Sequence, residues 1–150
     1  MSTNEDIGAI FEEMATLLEL TGANGFRVNA HTKVARVVEG LASDLGDIAR
    51  GEKAMAELQK LDGIGKSSAE KIREFVADGT IREFDALRES IPSGLIDVLE
   101  VPGLGPKTVK VLWEKGGVVD VESLKAGIDS GALEGIPRMG AKTLANIRDA

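Results

Sequence analysis

Three segments of the chain spell one short pattern, and nothing else in the sequence limits its fold as strongly. They are Leu61-Asp-Gly-Ile-Gly-Lys-Ser-Ser-Ala-Glu-Lys-Ile72, Val101-Pro-Gly-Leu-Gly-Pro-Lys-Thr-Val-Lys-Val-Leu112 and Ile136-Pro-Arg-Met-Gly-Ala-Lys-Thr-Leu-Ala-Asn-Ile147. Their last glycines, Gly65, Gly105 and Gly140, lie 40 and then 35 residues apart, a period that marks each copy as one supersecondary unit. Each copy runs from an apolar residue through a tight turn into a new helix. The turns Gly63-Ile64-Gly65 and Gly103-Leu104-Gly105 can take positive φ and leave no side chain between backbone and ligand. In the third copy Arg138 replaces the first glycine, which makes it the weakest match.

The rest of the chain also has helical periodicity. Ile7, Ile10, Phe11, Met14, Leu17 and Leu18 form one apolar stripe, with Thr3 and Asp6 placed like a capping box and Gly22 as a stop. His31, Val34, Ala35, Val38 and Leu41 repeat the stripe in a second helix expected to run to about residue 43, with His31 as a core-edge histidine. Short helical bursts follow, separated by Gly and Pro, and Trp113 falls on the buried side of one of them. The only strand candidate, Val118 to Val121, is too short to build a sheet. The expectation is an all-α protein, with one domain over residues 1–90 carrying the first repeat and a second over 91–150 carrying the other two.

Composition narrows the function classes. With no Cys and one His there is no disulfide and no Cys/His zinc site. Aromatic residues make up 3%, too few for a protein that binds single strands by base stacking. No signal peptide or membrane span is evident, so a cytoplasmic protein is expected. Gly65-Lys66-Ser67 resembles the end of a phosphate-binding loop of nucleotide enzymes, but Lys60 stands where the earlier glycine is needed, so no nucleotide site is expected. Clustered acids such as Glu12-Glu13, or Glu83 with Asp85, read as solvated faces.

The repeat itself points to phosphate. The first amides of a helix have no intrahelical partner, and the helix dipole makes that end partly positive, so an anion can dock there. Lys66, Lys107 and Lys142 stand at the three helix heads, with Lys110 one turn further on in the second. Contacts of this kind touch the backbone of nucleic acid and carry no sequence information. The expected interface is therefore Gly63, Ile64, Gly65 and Lys66, then Gly103, Leu104, Gly105, Lys107 and Lys110, then Arg138, Gly140 and Lys142. A net charge of −7 opposes DNA binding, but it is unevenly spread. Residues 60–73 carry +2, 101–115 carry +2 and 136–148 carry +3, leaving −14 on the remainder.

These residues resemble a known family. Asn24-Gly-Phe-Arg-Val-Asn-Ala30, Leu61 to Phe75 and Val101 to Thr108 together look like the N-terminal region of bacterial family X DNA polymerases, over essentially the whole chain. The resemblance implies a helical domain of the polymerase beta N-terminal type, the 8-kDa-type lyase domain, followed by further helix-hairpin-helix units. It implies binding to nicked or gapped DNA in base excision repair, with a cytoplasmic, nucleoid-associated location. It also implies K+ or Na+ held by backbone carbonyls, by position those of Gln59, Leu61 and Ile64 in the first hairpin and of Leu99, Val101 and Leu104 in the second.

Some members of that family use a lysine as a Schiff-base nucleophile on the 5′-deoxyribose phosphate, and the matching residue is Lys71. An amine partly desolvated among cations gives up its proton more readily and can attack a sugar aldehyde. Arg27 keeps a positive charge in the corresponding pocket and is expected to contact DNA, but Phe26 replaces a histidine, His31 a tyrosine, and Ser67 and Glu83 each replace a lysine. The 150 residues hold no palm with metal-binding aspartates, so no polymerase activity is expected of them. The alternatives are a DNA-binding module, the same module with a Lys71 lyase step, and a protein-interaction scaffold in which the hairpins only join helices.

Overall fold

In a computed structural model of the chain, residues 3–133 are described. Among them the secondary structure is entirely helical: α1 (Thr3–Leu20), α2 (Gly25–Glu39), α3 (Leu45–Ala49), α4 (Ala54–Gln59), α5 (Lys66–Asp78), α6 (Arg82–Glu89), α7 (Gly94–Leu99), α8 (Pro106–Gly116) and α9 (Val121–Asp129). No described helix is long and apolar enough to cross a membrane. The described residues pack as two units, one made of residues 3–18 and 23–87, the other of residues 19–22 and 88–133.

Packing in the first unit follows the apolar stripes. Ile7 and Phe11 of α1, Val34, Ala35 and Val38 of α2, Leu58 of α4, and Ala69 and Ile72 of α5 share one buried cluster with Leu45, Ile64 and Ile81. Asn24 caps α2, its side chain accepting from Arg27 N at 2.9 Å. That helix stops at Glu39, short of the expected residue 43, because Gly40 ends it and Leu41 N turns back to Val38 O. Asn4 then fixes the connection to α3, donating to Ser43 O and accepting from Leu45 N, both at 2.8 Å. Glu74 accepts from Arg82 N at 2.9 Å and caps α6 from the preceding helix.

The second unit repeats the first's central motif. Helix α4, its bend and α5 correspond to α7, its bend and α8. Buried Leu58, Ile64, Ala69 and Ile72 match buried Val98, Leu104, Val109 and Leu112, each 40 residues on. Both second helices end at a left-handed glycine, Gly79 (φ 78°) and Gly117 (φ 66°). Asp120 and Ser123 form a reciprocal capping box on α9. Trp113, expected in the core, is half-buried, because Val109 and Leu112 take the inward face of α8.

Leu58 is fully buried between α4 and α5 in the first unit. Leu58→Ala should lower the unfolding free energy by about 2–5 kcal/mol. Urea denaturation followed by circular dichroism measures this, and a loss well under 1 kcal/mol would mean that the first repeat does not anchor this core.

Candidate nucleic-acid interface

Two bends of nearly identical backbone stand between their helix pairs. Gly63 has φ 84° and Gly103 φ 88°, and in each case the buried residue that follows closes the turn: Ile64 N donates to Leu61 O and Leu104 N to Val101 O, both at 3.1 Å. The next residues, Gly65 (φ −92°, ψ −171°) and Gly105 (φ −97°, ψ 172°), are extended and lead into α5 and α8. The positive φ of the first glycine is open to few other residues. The apolar residue between the glycines is pinned in the core, so the glycines themselves are pushed outward and exposed.

At these helix starts the amides remain available. The first bonds inside the helices are Ala69 N to Gly65 O at 2.9 Å and Val109 N to Gly105 O at 3.0 Å, which leaves the preceding amides without an intrahelical acceptor. No side chain caps either helix, whereas α2, α3 and α9 are each capped by Asn or Asp. Nothing stands within 4 Å of where a side chain would begin at Gly65, Gly103 or Gly105. Lys66 and Lys107 are exposed at the helix heads. Lys110 is half-buried, its ammonium 4.0 Å from Glu114 and close to Gly22.

Lys33, a residue the sequence analysis did not single out, belongs to the first bend. Its aliphatic stem lies over Gly63, where a Cβ would meet it at 3.0–3.2 Å, and its ammonium is 3.7 Å from Asp62. It comes from α2, thirty residues away in sequence, so no local motif could have exposed it. Its charge offsets Asp62, the acid in this turn.

The residues proposed for lyase chemistry do come together, in the first unit, but around a carboxylate. Glu83 Oε2 accepts from Lys71 Nζ at 2.7 Å, and Glu83 Oε1 accepts from Arg27 Nη2. Lys71 Nζ also donates to Ser67 Oγ at 3.1 Å, and the lysine side chain is only 14% exposed. Glu83 is therefore not the solvated acid that sequence suggested. Burial alone would raise its pKa, but the hydrogen bond and charge of Lys71, then those of Arg27, outweigh this and hold it below the usual glutamate range. Phe26, beside Arg27, is 90% exposed.

His31 lies under this cluster, packed on Phe11 with ring centroids 5.8 Å apart. Its Nδ1 donates to Arg27 O at 2.9 Å, since a carbonyl can only accept, and Nε2 is left as a buried lone pair without a partner. Burial is the main force that lowers its pKa below 6.5, with the Lys71 charge adding to it and the Arg27 carbonyl and Glu83 opposing.

The carbonyls suggested for a monovalent cation belong to these same bends. Leu61 O and Val101 O each accept one turn bond and keep a second lone pair. Gln59 and Ile64 flank Leu61 at the first bend, and Leu99 and Leu104 flank Val101 at the second. Arg138, Gly140 and Lys142, the third copy, lie outside the described residues.

A histidine whose folded pKa is depressed binds fewer protons than in the unfolded chain, so its stabilising contribution is present above pH 6.5 and lost as pH falls through its folded value. His31→Phe should therefore flatten the dependence of stability on pH just below 6.5. Thermal melts across that range check this, and an unchanged slope would show that His31 is not the group responsible.

Comparison with known proteins agrees with this geometry. Residues 2–81 match the family described as "Helix-hairpin-helix domain", and residues 95–150 the one described as "SAM-like Helix-hairpin-helix tandem". The chain is 32% identical over 146 residues, 97% of its length, to the N-terminal part of the DNA polymerase/3′-5′ exonuclease PolX of Bacillus subtilis (strain 168). It spans about a quarter of that relative, 24% of its length. With two hairpins of one geometry and a family match over more than half its residues, the chain belongs to the helix-hairpin-helix domain family.

Proposed function

We propose that the chain is a DNA-binding module that grips the sugar-phosphate backbone without regard to base order, on nicked or gapped duplexes in base excision repair. One observation carries the reading: the same bend occurs twice, each time with uncapped amides at the head of a helix, a second glycine (Gly65 or Gly105) with open space before it and an exposed lysine. Phosphate oxygens suit that combination of amide dipoles and ammonium groups. Membership of the helix-hairpin-helix family and similarity to the N-terminal part of a DNA polymerase support DNA binding and a repair-related role. The third copy would add Arg138, Gly140 and Lys142, and the nucleoid would be the place of action. A K+ or Na+ ion would be held by the bend carbonyls, where it would add positive charge facing the phosphate.

A lyase step would need Lys71 Nζ free to attack a sugar aldehyde. Glu83 and Ser67 hold that nitrogen instead, so the module is proposed as a binder.

Lys66→Ala and Lys107→Ala should each weaken binding by a similar factor on all base sequences and reduce the slope of log K against log salt by about 1. Fluorescence anisotropy with nicked, gapped and intact duplexes at two salt concentrations reads both quantities. Wild-type affinity that ignores salt would favour the scaffold alternative. Borohydride trapping on incised abasic DNA should yield no adduct. A wild-type adduct absent from Lys71→Ala would instead establish the lyase.

A further inference from the structure

We propose that Glu83 is a specificity residue that closes the Arg27–Lys71 cation pair to phosphate monoesters, so that the module does not sense whether a DNA end carries a 5′-phosphate. This rests on the DNA-binding reading for its biological meaning, but the site itself does not. Arg27 comes from α2, Lys71 and Ser67 from α5, and Glu83 from α6, so tertiary packing builds the cluster.

Glu83 uses its two oxygens as two oxygens of a phosphate would be used, one on the guanidinium and one on the ammonium. Ser67 Oγ, 3.1 Å from Lys71 Nζ, completes a polar rim that suits an oxyanion. The carboxylate is tethered and already partly desolvated, at 32% side-chain exposure, so it competes with any free anion at high local concentration. An incoming phosphate would have to displace it and then remain beside a group that keeps its negative charge, because the same two cations favour its ionised form. His31, the titratable group packed below, has its charged form disfavoured, chiefly by burial.

At the bends, by contrast, Gly65, Gly103 and Gly105 face open space. Contacts with internal phosphates of a duplex therefore do not depend on this cluster. Lys66 and Lys107, exposed at the bends, thus differ from Arg27 and Lys71, which Glu83 neutralises.

Two measurements on the full chain and on Glu83→Gln test this, with Glu83→Ser used in the same way should the glutamine variant misfold. Gapped duplexes with a 5′-phosphate or a 5′-hydroxyl are compared by anisotropy, and inorganic phosphate is titrated while the Arg27, Ser67 and Lys71 amides are followed by NMR. The wild type should bind both duplexes within about twofold, whereas the variant should favour the phosphorylated one by about tenfold, equivalent to roughly 1.4 kcal/mol. Phosphate should move the three amides in the variant only. A wild-type preference for the 5′-phosphate, or a folded variant as indifferent as the wild type, overturns the proposal. If neither protein binds duplex, the DNA-binding reading fails, and the phosphate titration still decides the role of Glu83. Shifts confined to the variant uphold that role, and shifts in both proteins or in neither overturn it.

Discussion

A bend in which one glycine reverses the chain and a second starts a helix with nothing in front of it governs the rest of this structure. Between the glycines sits an apolar residue, Ile64 or Leu104, and its burial fixes how the bend is mounted. Leu58 and Val98 enter the core from the preceding helix, Ala69 and Val109 from the following one. The hydrophobic effect thus orients the bend by its middle residue, and the glycines face outward as a consequence. A helix-capping side chain at the second glycine would satisfy the same amides that the bend leaves open.

Electrostatics then separates two groups of cations. In an acidic chain, Lys66 and Lys107 stand exposed beside open amides, whereas Arg27 and Lys71 are turned on Glu83. An exposed ion pair contributes little to stability in water. The Lys71 side chain is largely buried, however, so losing Glu83 would leave a cation without its counter-charge, and that partial burial makes the cluster a commitment rather than a passing contact.

How much of this was legible in sequence depends on the range of the interaction. The bends were legible because glycine spacing and the following helix are local, and the helical stripes because burial follows a 3.6-residue period. The end of α2 was overestimated because Leu41 continues the stripe and packs against the core after the helix has ended. Trp113 was misplaced because one step around a helix from a buried leucine is already an edge position. Lys33 over Gly63, 30 residues away, carries no local signal, and neither does the ion pairing of Glu83 with Lys71, 12 residues away, and Arg27, 56 residues away, since the tertiary fold creates both. The resemblance to family X polymerases flagged the charge at residue 83 as a departure, and the structure supplies its partners.

The two bends have also diverged in how they can attract an anion. In α5 the first three residues, Lys66, Ser67 and Ser68, all carry amide hydrogens, but Asp62 lies in the turn, with Lys33 beside it. In α8 the first residue is Pro106, which presets the helical φ and has no amide hydrogen to offer. Pro102 replaces the acid there, so no carboxylate stands in the turn itself. The first bend thus has more directed donors in a locally balanced field, and the second has fewer donors without an opposing charge in its turn. Directed hydrogen bonds weaken steeply with distance and angle, while a bare charge acts over about 8–10 Å at ordinary salt. Of the two bends, the first therefore has the more directed donors for an anion, and the second the less opposed local field.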